Sequence, residues 1–153
     1  MAEEAVTKAV TEAATLSAPE TPAPDVYIAI GRRKTAVARV RLKPNGTGEI
    51  KINRKRSVDG YFEREQDRAM FLSAFEATST GKKFDCFVNL DGGGTAGQAA
   101  AAKLGIARAL CKVSKDYELV LRGQGFLTRD SREKERRKYG RRGARARFQF
   151  SKR

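Results

Sequence analysis

The chain contains no histidine and no tryptophan, and only two cysteines and four prolines, in 153 residues. Without histidine, the usual neutral-pH general base and the commonest metal ligand are missing. Cys86 and Cys111 stand far apart and build neither a disulfide framework nor a cysteine-rich zinc site. Lone thiols suit a reducing compartment and read as small buried hydrophobes. No apolar run approaches the length of a membrane-spanning helix. These absences exclude a zinc enzyme, a disulfide-stapled secreted mini-protein and an integral membrane protein. Acidic residues are outnumbered too: 18 Asp and Glu against 32 Lys and Arg leave a net charge of +14. An excess this large favours a polyanion, either nucleic acid or an anionic membrane surface. The length suits one domain.

The charge is unevenly spread. Residues 1–25 set Lys8 against Glu3, Glu4, Glu12, Glu20 and Asp25, a net of −4. With Pro19, Pro22 and Pro24 at its end and little apolar mass, this segment reads as a disordered acidic arm. It has the composition of neither a transit peptide nor a secretory signal. Residues 26–127 carry 19 bases against 10 acids and nearly all the hydrophobic periodicity. Residues 128–153 carry 12 bases against 3 acids, nine of the bases being Arg. The chain is expected to divide into an arm, a domain and a basic tail at these boundaries.

Val26–Ile30 is a short apolar run, and Ala36–Lys43 alternates with Ala36, Ala38, Val40 and Leu42 on one face. A period of two with a charged face is a half-buried antiparallel strand. Asn45-Gly46 then predicts a tight hairpin, returning through Glu49–Asn53 with Ile50 and Ile52 inward. Arg39, Arg41 and Lys51 would then share one basic sheet face beside the Arg32-Arg33-Lys34 cluster, placed to touch phosphate. Tyr61–Thr78 changes to a helical period, with Ala69, Leu72 and Phe75 inward and Gly81 ending the helix. Phe84–Leu90 is another alternating strand. An Ala-rich helix from Ala96 to Val113 follows, with Ala100, Leu104, Ala107 and Cys111 inward. Asp116–Arg122 fits a helix or a strand equally. The plan is α+β, with helices on one face of a mostly antiparallel sheet.

Gly92 to Gly97 satisfies G-x-G-x-x-G after a strand and before a helix, with Asp116 about 20 residues on. A dinucleotide site is discounted: no second mononucleotide half fits, and Asp116 precedes its candidate strand instead of ending it. What survives is backbone N–H groups near a helix N-terminus, where an RNA phosphate fits as well as a cofactor. In the tail, Asp130 with Glu133 forms a capping signal and Gly140 a stop, but no apolar stripe exists to bury the segment, so any short helix here needs a partner to hold it. Arg129, Arg132, Arg136, Arg137, Lys138, Arg141, Arg142, Arg145 and Arg147 offer phosphate donors. Tyr139, Phe148 and Phe150 offer rings for unpaired bases. Composition alone admits a structural RNA-binding protein, or a nucleic-acid chaperone or DNA-compacting protein.

Phe126-Leu127-Thr128-Arg129-Asp130, Glu135 to Gly140 and the terminal Gln149 to Arg153 resemble the family of the ninth protein of the bacterial small ribosomal subunit. So do Gly31 to Ala36, Asn89 to Gln98 and Gly105 to Leu110, in one collinear pass over about residues 26–153. Gly143 and Ala146 stand where many members carry further Lys or Arg, and residues 1–25 have no counterpart in the short members. The resemblance implies a two-layer α/β sandwich, like the second domain of small-subunit protein five, with a left-handed β-α-β crossover. It implies a structural protein of the cytoplasmic ribosome, with no cofactor, enzymatic activity or membrane partner. The expected place is the head of the small subunit, beside proteins ten and fourteen, on the 3′ major domain of the rRNA. The rRNA contacts are then Arg32, Arg33, Lys34, Arg39 and Arg41 with the tail bases just named and Tyr139. Ser151, Lys152 and Arg153 would reach the anticodon stem-loop of peptidyl-site tRNA. Residues 128–153 extended at about 3.3 Å each span roughly 80 Å, enough to cross a layer of packed RNA.

Overall fold

The computed structural model describes residues 25–54 and 56–150. The expected arm, save Asp25, and the terminal Ser151, Lys152 and Arg153 lie outside the described residues. The elements run β1 (Tyr27–Arg33), β2 (Ala36–Pro44), β3 (Ile50–Ile52), α1 (Val58–Tyr61), α2 (Glu65–Thr78), β4 (Phe84–Asp91), α3 (Thr95–Val113) and α4 (Lys115–Gly123). The sheet order is β1-β2-β4-β3, antiparallel except for the parallel β3–β4 pair. Helix α3 packs on β1 and β2, with α2 and α4 against it. The α+β expectation holds.

Alternation was a sound guide to the strands. Ala36, Ala38, Val40 and Leu42 are buried on β2, and Phe84, Cys86, Val88 and Leu90 on β4. Pairing was not readable from it. The hairpin predicted at Asn45-Gly46 does not form, because β4 occupies the place beside β2 along eight paired positions. The three residues of β3 offer less pairing, and they join the far edge of β4. The tight hairpin is β1–β2, closed at Lys34-Thr35 with Arg33 opposite Ala36. Lys34 supplies the positive φ, 51°, that its loop demands.

The loop that carries the chain across to β3 is held by one carboxylate. Asp85 Oδ1 accepts from the backbone N–H of Thr47, Gly48 and Glu49 at 2.8, 3.1 and 3.1 Å. The Glu49 N–H, then those of Thr47 and Gly48 and the charge of Lys43, hold this carboxyl below its ordinary pKa against the opposing effect of burial. A depressed folded-state pKa means stability that is present above the unfolded value and lost as pH falls through the folded one. Asp85→Ala is therefore expected to lower the melting temperature at neutral pH, with the gap to the parent closing as pH falls below the ordinary carboxylate range. Thermal melts of both chains across that range check it. An unchanging gap would mean that charge plays no part in holding the loop.

The helices correct three expectations. In α2 the buried stripe is Asp67, Phe71, Ala74 and Phe75, while Ala69 is exposed. The charged Asp67 at the head of the stripe disguised its register; Phe71 instead packs at 5.8 Å from the Phe62 ring. Ser79, left-handed at φ 52°, ends α2 before Gly81 is reached. In α3 Leu104 and Ala107 are buried but Ala100 and Cys111 only partly, and packing on β1, β2, α2 and α4 spreads its burial over more than one stripe. Ala99, Ala101, Ala102, Gly105, Ile106, Ala109 and Leu110 are buried as well. Asp116–Arg122 resolves as helix: the Ser114 hydroxyl accepts from the Asp116 N–H at 3.2 Å and starts α4.

Candidate nucleic-acid interface

Three basic regions lie outside the core. The first is the open face of the sheet. On β2, Arg39 and Arg41 point away from the helices, opposite Asn89 and Phe87 of β4. Lys51 of β3 lies on the other side of Phe87. The expected sharing of one face by Arg39, Arg41 and Lys51 holds although the expected hairpin does not. A strand inserted between two others leaves their alternation in phase when all are paired in register. Lys43 and Arg54 extend this surface. Neither was singled out from the sequence; Lys43 was visible as the next outward residue of the alternation.

The second region is the β1–β2 turn. Arg33, Lys34 and Thr35 share a small hollow of about 220 Å³ with Gly93, Gly94 and Thr95 at the start of α3. Gln98 braces this loop, donating through Nε2 to the Gly92 carbonyl at 3.0 Å and accepting from the Tyr61 hydroxyl at 2.8 Å. Gly92 and Gly93 take φ of 66° and 64°. Asp116 sits in the first turn of α4, so no strand carries an acid to a ribose.

Arg33 links this region to the third, the tail. Its guanidinium pairs with Asp130 at 2.8 Å and donates to the carbonyls of Asp130 and Arg132 at 3.2 and 2.8 Å. Asp130 thus ties the tail to the turn while its Oδ1 still accepts from the Arg132 N–H at 2.9 Å, and without a partner no helix follows: 129–138 is neither helix nor strand. An isolated first turn with no apolar stripe has nothing to offset its nucleation cost. The Arg132 guanidinium, its backbone N–H and Arg33 together hold the Asp130 carboxyl far below the ordinary range. Arg129 pairs with Glu133 at 3.7 Å, and Arg145 donates through Nε to Glu135 at 3.1 Å.

The remaining tail bases have no carboxylate partner among the described residues. Arg136, Arg137, Lys138, Arg142 and Arg147 are exposed, and Arg141 is half-buried within the tail's own turn. That turn is closed by the Arg142 N–H donating to the Ala146 carbonyl at 3.1 Å and by Arg137 donating to the Arg142 carbonyl at 3.0 Å. Tyr139 and Phe150 are each 99% exposed. Both ring faces are open to stack on an unpaired base. On β1 and β2, Arg32 and Arg39 are solvent-facing.

Among the described residues nothing is arranged for bond making. Burial pushes the Cys86 thiol up, and burial with Glu118 nearby raises that of Cys111, so neither is an activated nucleophile. Among the described residues no cluster of Cys, Asp and Glu is placed to hold a metal, and no helix is long and apolar enough to cross a membrane. A sheet open on a cationic face, with an arginine-rich tail roped to its turn, is the build of a structural protein that meets a polyanion. Residues 31–153 match the family described as Ribosomal protein S9/S16, and the chain belongs to that family in its bacterial form. It is 52% identical over 127 residues to the small ribosomal subunit protein uS9 of Syntrophobacter fumaroxidans, covering 83% of this chain and 96% of that one. With the same-named protein of an Anaeromyxobacter strain it shares 54% over 124 residues, 81% and 94% of the two chains. For that of Borrelia turicatae the figures are 50% over 123 residues, 80% and 89%. Membership makes it a structural, RNA-binding ribosomal protein of translation and not an enzyme.

Proposed function

We propose that the protein is a constituent of the small-subunit head that binds the 3′ major domain of the rRNA through two surfaces. One is the domain over 26–127, through Arg32, Arg33, Lys34, Arg39 and Arg41. The other is the tail over 128–153, through its arginines, Lys138 and Tyr139, with Ser151, Lys152 and Arg153 reaching the anticodon stem-loop of peptidyl-site tRNA. The observation that carries the reading is the run of tail cations without carboxylate partners among the described residues, beside bare aromatic rings. Such groups have no opposite charge to give up and gain charge-assisted hydrogen bonds and stacking on RNA. Arg33, Arg129, Arg132 and Arg145 exchange an acid for a phosphate when they bind. The arm over 1–25, net −4, takes no part in holding rRNA. The β3–helix–β4 crossover is left-handed in this reading, as in the second domain of small-subunit protein five. Proteins ten and fourteen are neighbours in the head, and the site of action is the cytoplasmic ribosome.

Reconstitution of small subunits from rRNA and proteins tests this in two arms. The full chain should enter the particle in stoichiometric amount; failure to bind rRNA would end the reading. A chain lacking Ser151, Lys152 and Arg153 should enter equally well, because the other tail bases still hold the RNA. Its particles should bind peptidyl-site tRNA more weakly by on the order of 1–3 kcal/mol, the scale of two charge-assisted bonds. Lys152→Glu with Arg153→Glu should be worse than deletion, since attraction turns into repulsion. Equal tRNA binding by all three would show that the terminus does not reach the tRNA.

A further inference from the structure

The open face of the sheet holds one aromatic ring among cations. Phe87 stands in the middle of β4 and is 36% exposed, although every second residue around it is buried on the other side. The register sets Arg41 against it on β2 and Lys51 against it on β3, so the three form one row across the sheet. In the adjoining row Arg39 is paired with Asn89. One edge of this surface is shaped by two successive left-handed residues that are not glycine, Asn53 at φ 47° and Arg54 at φ 75°. Such a backbone persists only where its surroundings impose it. Here the Asn53 side chain does so, accepting from the Leu90 N–H at 2.8 Å and donating to the Leu90 carbonyl at 3.3 Å. The result places Arg54 on the same hollow as Arg41, Lys51, Phe87 and Asn89, a space of about 410 Å³.

We propose that this hollow is a base-stacking site for single-stranded RNA, with one unpaired base on the Phe87 ring and flanking phosphates on Arg41, Lys51 and Arg54. The assignment rests on the RNA-binding reading above and adds to it the form of RNA taken and the residue that takes it. Charge decides for RNA over a protein partner. Among the described residues, only Lys51 of these cations has a carboxylate partner, Glu49 at 2.8 Å. The nearby Asp85 is already engaged by the β2–β3 loop. The ring decides for an unpaired strand over a duplex. A duplex presents phosphates but keeps its base faces stacked inside, whereas a single strand can lay one on an aromatic side chain.

The absence of tryptophan makes the test direct, because Phe87→Trp introduces the chain's only indole. The full-length variant is titrated with end-labelled single-stranded oligoadenylate, and separately with an RNA duplex carrying the same number of phosphates. Label anisotropy reports binding through any surface, and indole emission reports stacking at this one. The expected result is binding of both RNAs with quenching by the single strand alone. Phe87→Ala should bind oligoadenylate about tenfold more weakly with duplex affinity unchanged, and Phe87→Tyr should retain the parent's affinity. Anisotropy change without quenching, or equal losses for both RNAs in Phe87→Ala, would overturn the stacking site and leave RNA binding standing. No anisotropy change with either RNA would overturn the RNA-binding reading as well. A blue shift of the indole that grows with protein concentration, without RNA, would assign the face to a second copy of the chain and overturn the proposal.

Discussion

Replacing Arg136, Arg137, Arg141 and Arg142 together by Ala is expected to weaken rRNA binding without touching the fold. Each base that meets a phosphate releases condensed counterions, so each one lost flattens the slope of log affinity against log salt by roughly 0.7 to 0.9. If all four make contacts, the slope falls by about 3, and the penalty is greatest at low salt. The melting temperature should stay at the parent's value, because none of the four belongs to the buried core. Filter binding or anisotropy across a salt series, with thermal melts alongside, checks both halves. The structure supports these four positions, none of which has a carboxylate partner among the described residues. Arg129, Arg132 and Arg145 already hold a carboxylate, so exchanging it for a phosphate gains less per residue. An unchanged slope would make the run a solvated tail with no part in binding.

Gly31→Ala should have the largest effect on stability of any Gly→Ala change among the described residues. A Cβ at residue 31 would lie 1.9 Å from the Ala101 carbonyl oxygen and 2.5 Å from the Gly105 nitrogen. Both are backbone atoms of α3, so no side chain can swing aside. The helix must lift off β1, which opens the packing of Ala101, Ala102 and Leu104 beneath it. Overpacking typically costs 1–3 kcal/mol, and a clash against backbone belongs at or above the top of that range, about 3 kcal/mol. For a domain of this size that is a fall of roughly 12 °C or more in melting temperature. Gly123→Ala is the matched control: its Cβ would meet nothing within 4 Å, so it should be neutral or slightly stabilising. Comparable melts for the two variants would show that β1 and α3 are not in backbone contact.

Gly31 also shows how a motif can be read correctly and understood only later. In the sequence it heads the run Gly31 to Ala36, where the neighbouring bases draw the attention. The structure adds Gly105, whose own Cβ would lie 2.7 Å from Val40 Cγ2 and 3.2 Å from the Gly31 nitrogen. Two glycines 74 positions apart are one packing feature, and no local pattern ties them together. The Asn45-Gly46 turn is the opposite case. It carries the strongest short-range hairpin signal in the chain, yet the strand it delivers pairs elsewhere, because the eight positions shared by β2 and β4 outweigh the three of β3. Asp130 repeats the lesson in the tail. Its capping pattern is sound chemistry, and the Arg132 N–H does bond it, but the carboxylate is shared with the guanidinia of Arg132 and of Arg33, 97 residues away, and no helix follows.

What the sequence determined by itself is what depends on composition and on period. A net charge of +14, its concentration in the last 26 residues and the lack of histidine already point away from catalysis and towards a polyanion. A period of two assigns each strand residue to a face before its partner is known, which is why Arg39, Arg41 and Lys51 were grouped correctly. What the tertiary structure decided is everything that depends on which distant segments meet. That covers the order β1-β2-β4-β3, the burial of Phe71, the tether from Arg33 to Asp130 and the row that sets Phe87 between Arg41 and Lys51. The physical reason is the same in each case. Local preferences are worth a few tenths of a kcal/mol to about one, and a continuous sheet with its covering helix sums many such terms over residues far apart in the chain.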